Sequence, residues 1–224
     1  MAERLTLHHF ILDPASRLVR LTLGEKKIAY EEQLVRYWEP QPDFEALNPS
    51  GLTPVLVVDG LPLCETAAIC GWAEELKPFP PLLSDDWTER AEARRLVQWF
   101  ERKFDYEVNA LLLHEKMEKR LMRLGSPDMN AMRAGREALR QHLGYLETLL
   151  AERNWLAGQR LSFADFAAAA HLSVHDYLDE VPWKDFKLVR TWYSRIKSRP
   201  AFRSLLSDKQ PAMPPSTHYH DLDF

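Results

Sequence analysis

An α/β domain followed by an all-α domain is the fold class that this sequence predicts, on three observations. Residues 1–76 alternate short strand-like and helix-like segments. Lys77-Pro78-Phe79-Pro80-Pro81 then interrupts every periodic pattern and reads as an interdomain linker. The remainder consists of long amphipathic stretches with almost no β pattern. A chain of 224 residues, 46% of them hydrophobic, can bury a substantial core in one large domain or two small ones, and the asymmetry selects two. The expected boundaries are 1–76 for the first domain, 77–86 for the linker, 87–206 for the helical domain and 207–224 for a tail.

Leu5 to Phe10 reads as the first strand. Asp13-Pro14 opens a helix, because the carboxylate can accept from N–H groups of the first turn and proline at the first helical position gives up no bond. Gly24 ends that helix, and Tyr30 to Arg36 is the second strand. After Tyr37-Trp38-Glu39-Pro40, a short helix from Asp43 to Leu47 stops at Asn48-Pro49. Val55 to Leu63 reads as a hairpin whose Asp59-Gly60 turn supplies two positive-φ positions, and Pro62, which cannot donate to a ladder, places its strand at a sheet edge. Glu65-Thr66 opens a third helix with Ile69, Trp72 and Leu76 on one face.

Beyond the linker, Ala93, Val97, Phe100, Phe104, Val108 and Leu111 recur at helical spacing, as do Leu139, Leu143, Leu146 and Leu150. Two long helices should therefore form an antiparallel pair in a bundle, joined by Gly125-Ser126-Pro127-Asp128. Shorter helices follow from Phe163 to His175 and from Phe186 to Arg199. Pro200 starts a final turn, and from Ser207 onward the chain is rich in proline and polar residues.

Composition excludes several functions. Basic residues number 29 and acidic ones 33, a net charge of -4, so neither nucleic acid nor an anionic membrane surface is an expected partner. The start has no signal-like apolar core, and no apolar run approaches the roughly 20 residues of a membrane span. A cytoplasmic protein without membrane insertion is expected. Cys64 and Cys70 lack CxxC spacing and read as small buried apolar residues. His218-x-His220 with Asp221 is an incomplete ligand set, so no metal site is expected. His8, His9, His114 and His142 have no partnered nucleophile.

Taken together, four motifs resemble those of cytosolic glutathione transferases: Asp13 to Arg20 as the first-helix entrance, Asn48 to Leu56 as the loop whose last proline is cis, Glu65-Thr66 at the start of helix three, and Leu156-Ala157-Gly158 followed by Ser162 to Asp165 as a capping box. The resemblance covers nearly the whole chain. It implies a thioredoxin-like domain, a helical C-terminal bundle and a homodimer. It also implies a glutathione-pocket-like set made of Thr53, Pro54, Glu65 and Thr66. Thr53 would offer backbone N–H and C=O to the cysteinyl unit, the helix start at Thr66 would seat a carboxylate, and Glu65 would pair with an ammonium group.

The same resemblance places a thiolate-stabilising hydroxyl or a cysteine just after strand one, and there this sequence has Asp13. A carboxylate has no proton to donate, and its charge raises the pKa of a nearby thiol above its free value of about 8.5. Asp13 is therefore expected to be a helix cap rather than a catalytic base, and Ser16, one turn inside the helix, is the one nearby hydroxyl that could substitute in thiol chemistry, so no catalytic residue is expected. Leu52 stands where the family often carries lysine or glutamine, and residues 37–42 supply no cation, leaving Arg17 or Lys26 to fill that role. No cofactor is expected, and glutathione would meet a pocket poor in charge partners.

Tyr37-Trp38 and the tail offer surface features. Each has two readings, packing against the chain's own body or anchoring a partner. The missing hydroxyl, Trp38 and the acidic-aromatic end resemble the FzlA group within the superfamily, bacterial proteins that bind the tubulin-like division protein FtsZ. That resemblance implies a non-catalytic homodimeric scaffold that binds FtsZ filaments at the division site. Tyr37 and Trp38 would contact the filament, and Tyr219, Asp221, Asp223 and Phe224 would reach a second cell-division or wall-synthesis partner. The alternative is an active glutathione S-transferase that conjugates glutathione to small electrophiles.

Overall fold

A computed structural model describes residues 4–211 and 213–223, which divide into two compact units: residues 4–82 with Arg199–Pro214, and Leu83–Ser198 with residues 215–223. In the first unit the order is β1 (Leu5–His9), α1 (Pro14–Glu25), β2 (Glu31–Leu34), α2 (Pro42–Leu47), β3 (Val55–Val58), β4 (Leu61–Cys64) and α3 (Thr66–Leu76). The four strands form one sheet in the order β2-β1-β3-β4. β1 runs parallel to β2, with Thr6 opposite Glu31, and antiparallel to β3, with Leu7 opposite Leu56. This is the thioredoxin-like arrangement that the motifs imply.

Burial follows position in the sheet. Leu5, Leu7 and His9 of β1 are buried while Thr6 and His8 between them are half-buried, the period-two pattern of a pleated strand. All four residues of β2 are exposed, and the ladder there is shorter than the expected 30–36 because this is an edge strand. β4 is the other edge, and it carries Pro62 opposite Val57. Asp59 (φ 48°) and Gly60 (φ 92°) form the hairpin turn. α3 buries Thr66, Ile69, Cys70 and Ala73, so its inner row starts at Thr66 and leaves Leu76 exposed.

The segment Arg199–Pro214, of which residues 199–206 were expected with the helical domain, packs in the first unit. Polar contacts fix it there. Arg20 makes two bonds to Asp208 (2.8 and 3.0 Å), Arg17 adds a third (3.1 Å), and Arg199 pairs with Glu25 (3.0 Å). Gly24 does not end α1, which runs on to Glu25. Its missing side chain instead admits the turn Pro200–Phe202, since a Cβ there would lie 3.2 Å from Ala201 Cα. A short helix, α9 (Arg203–Leu206), follows.

The second unit holds α4 (Trp87–Gln98), which continues into a π-wound stretch, Trp99–Glu118, and then α5 (Lys119–Met122). α6 (Met129–Glu152), α7 (Phe163–Tyr177) and α8 (Lys187–Lys197) complete it, with a one-turn 3-10 segment at Trp183–Asp185. π winding bonds residue i to i+5, as Lys119 N–H does to His114 C=O. The wider turn shifts the buried row, so Leu112, Leu113 and Met117 enter the core and Leu111, expected there, is half-buried. Gly135 of α6 lets that helix approach closely, a Cβ there lying 3.0 Å from Leu112 Cβ. Every residue of α7 is buried, and its start carries the expected capping box between Ser162 and Asp165. No helix among the described residues is long and apolar enough to cross a membrane.

Candidate functional site

In the first unit Asp13 meets Thr53 of the sequence-predicted pocket set and Ser16 of α1. Its carboxylate caps α1 by accepting from Ala15 N (3.3 Å) and Ser16 N (3.0 Å). Asp13 Oδ2 also accepts from Ser16 Oγ (2.5 Å) and Thr53 Oγ1 (2.9 Å), tying α1 to the loop before β3. Ser16 is fully buried, its hydroxyl donates to Asp13, and its oxygen accepts from Phe10 N (3.3 Å). Asp13 thus acts as the expected cap, and the Ser16 hydroxyl is already committed within the fold.

Thr53-Pro54 is cis and Pro54 is buried. Glu65 is exposed and holds a positive φ of 72°, an unusual conformation for a residue with a Cβ, immediately before α3. α3 starts without a side-chain cap, and Thr66 at its first position is buried. Cys64 is half-buried, with Sγ 3.6 Å from Leu47 C=O. Burial and the Glu65 charge push its thiol upward, which disfavours the nucleophilic thiolate.

The two cations that the sequence offered in place of a missing glutathione partner are otherwise engaged. Arg17 is fully buried, donating from Nε to Ile11 C=O (2.7 Å) and pairing with Asp208. Lys26 is buried as well, donating to Pro80 C=O (2.6 Å) and pairing with Glu74. Neither fills the role the sequence left open for it, because each charge is neutralised inside the unit.

Tyr37 and Trp38 are both half-buried. Trp38 meets Phe10 edge-on, with ring centroids 5.0 Å apart, and Tyr37 at 5.1 Å. Tyr37 also packs against the buried cluster of Val35, Phe44 and Val55. Packing against the chain's own body therefore accounts for much of this aromatic pair, and the remainder of each residue is accessible.

The tail is not a frayed end. Ser216 N donates to Tyr177 C=O (2.8 Å), and His218 Nε2 lies 2.9 Å from Asp176 Oδ1. Asp176, fully buried, also accepts from Trp183 Nε1 (2.8 Å), Tyr193 OH (3.2 Å) and Lys197 Nζ (3.3 Å). Tyr219 is fully buried, packed edge-on against Tyr177 at 5.1 Å and under Lys197. Its expected role as a partner contact is corrected, since an enclosed ring has no surface to offer. Asp221 and Asp223 are exposed, and Phe224 lies outside the described residues. His218, weighed in the sequence only as a metal ligand, is instead the tail's pin. Its partner lies 42 residues away, beyond the reach of any local motif.

The fold and these features are those of a known family. The family model for the glutathione S-transferase N-terminal domain matches residues 14–76, and that for the glutathione S-transferase C-terminal domain matches residues 115–200. The chain belongs to the glutathione S-transferase family. Within it, the chain is 62% identical to FtsZ-localized protein A of Caulobacter vibrioides, with 100% of both chains covered. The solved structure of FzlA from C. crescentus superposes with a TM-score of 0.96 at 62% identity, covering 99% of this chain and 100% of that one. A crystal structure of a glutathione S-transferase from Rhodospirillum rubrum F11 gives a TM-score of 0.95 at 46% identity, covering 98% and 100%.

Proposed function

We propose that this chain is a non-catalytic, FtsZ-localised scaffold of bacterial cell division, acting in the cytoplasm at the division site as a homodimer that binds FtsZ filaments. The observation that carries this reading is the 62% identity, over the whole of both chains, to a protein named for its localisation with FtsZ. The site chemistry supports it. Asp13 occupies the position of the thiol-activating group, Ser16 is buried beneath it, and Arg17 and Lys26 are spent in internal ion pairs. The half-buried Tyr37-Trp38 pair is the filament contact, through the part of each residue that packing leaves accessible. Asp221 and Asp223 are the tail's contacts for a second division or wall-synthesis partner.

The reading is tested by calorimetry with glutathione and a conjugation assay on an electrophilic aromatic substrate. Weak or absent binding and no turnover above the uncatalysed rate are expected. Tight binding with robust turnover would instead establish the second reading, an active glutathione S-transferase. That alternative draws on the Thr53-Pro54 loop, the uncapped start of α3 beside Glu65, and the 46% identity to a protein described as a transferase.

A further inference from the structure

The second unit carries a basic groove whose cations the proposed function does not use. Lys184, Lys187, Arg190, Thr191, Ser194 and Asp223 line an open cavity of about 520 Å³. The three cations recur at intervals of three residues, from the turn Trp183–Asp185 into the first two turns of α8, so they project along one side of it. Thr191 and Ser194 add hydroxyl groups one turn further on. Of the acids on neighbouring segments, Asp185 pairs with Arg140 (2.5 Å), and Glu147 accepts from Val189 N (2.8 Å) at the start of α8. Among the described lining residues, the one carboxylate comes from the tail, at Asp223.

The tail reaches this groove from a fixed point. Tyr219 is enclosed, His218 is held on Asp176, and Asp221 N donates to His218 C=O (2.9 Å), after which Asp221, Leu222 and Asp223 are exposed. A carboxylate tethered four residues from a buried anchor meets the groove at high effective concentration, without the entropy cost of a free ligand. The chain thereby shows one group that the groove accommodates, a carboxylate carried on a peptide segment, at Asp223.

We propose that this groove is a binding site for an acidic peptide segment of a partner protein, and that the chain's own tail, through Asp223, occupies it as a displaceable pseudo-ligand. Charge complementarity selects the class, three cations against a segment carrying two or more carboxylates. A cavity of about 520 Å³ is larger than a single small anion fills. With a net charge of -4 over the whole chain, attraction is confined to the local cluster of three cations, which suits a short acidic segment rather than the extended polyanion surfaces of nucleic acid and membrane. The inference does not depend on the FtsZ reading.

Fluorescence anisotropy of the full chain with a labelled synthetic peptide of alternating Asp and Leu tests it at low ionic strength. Saturable binding that weakens with added salt is expected. The Asp221→Asn/Asp223→Asn variant removes the internal competitor and should bind about threefold tighter or better. Lys187→Glu/Arg190→Glu should weaken binding by about tenfold or more. Lys187→Gln/Arg190→Gln provides the same test without introducing like charges, and circular dichroism confirms that each variant is folded. No peptide binding by the tail-neutralised variant would overturn the proposal, as would affinity indifferent to both groove variants. Tighter capture of phosphatidylglycerol vesicles or a single-stranded oligonucleotide than of the peptide would overturn it too.

Discussion

Asp13 binds three pieces of the first unit through one carboxylate: the first turn of α1, the buried Ser16 hydroxyl and the Thr53 side chain. Replacing it with alanine removes the cap and leaves Ser16 Oγ without its acceptor. We expect Asp13→Ala to destabilise the protein by about 2 kcal/mol, read as a lower urea midpoint at unchanged slope. Asp13→Asn, whose amide oxygen still accepts, should recover part of the loss. Unchanged stability in Asp13→Ala would contradict the structural role. The cap itself was legible in the Asp13-Pro14 order, because capping is decided within three residues. The bond from Thr53 was not, since it joins positions 40 residues apart. The engagement of Arg17 and Lys26 was equally hidden, because Asp208 and Glu74 reach them only through the fold.

At the scale of elements, the tail behaves as a strap whose hold depends on pH. The hydrogen bond and charge of Asp176 raise the pKa of His218 above its ordinary 6.5, with Asp179 adding to the effect and burial and Lys197 opposing it. Asp179 Oδ1 lies 3.9 Å from the ring's Nδ1, and Ser216 Oγ is 3.4 Å from Nε2. A raised folded-state pKa means that this contribution is complete below the unfolded value and is lost as pH rises through the folded one. The Ser216 amide, bonded to Tyr177, should therefore be better protected from hydrogen exchange at pH 6 than at pH 8.5 after correction for intrinsic rates. His218→Ala should abolish that difference, and a pH-independent protection factor in the parent would contradict the account. Elements with local signals were the legible ones: the Asp59-Gly60 hairpin, the Ser162 capping box and the Pro14 helix start. The π-wound stretch was read as α-helix because its apolar spacing near four serves both windings until Leu111 and Leu112 exchange places. The docking of 199–214 and of the tail depends on distant acids and rings, for which a single sequence carries no periodic signal.

For the whole molecule, the expected assembly is a dimer in which α3 and the long helix that begins at Trp87 meet the partner subunit, the isologous pairing implied by the family. Light scattering at micromolar concentration should give twice the 26.1 kDa chain mass, and a monomer mass alone would refute the dimer. The two-domain fold was legible at this scale because strand alternation, a proline break and helical periodicity divide the chain at the linker. The proposed filament contact was legible as the conspicuous Tyr37-Trp38 pair; that both residues are half-buried, with Trp38 edge-on against Phe10, was not. The central claim is that this pair binds FtsZ while the transferase pocket serves as scaffold. Co-sedimentation with GTP-assembled FtsZ, comparing the parent with a Trp38→Ala variant shown to be folded by circular dichroism, tests it most directly. The account predicts that the parent pellets with filaments and that Trp38→Ala stays in the supernatant, a loss on the order of 2 kcal/mol in binding; a parent that remains in the supernatant, or a folded variant that pellets as the parent does, would contradict it.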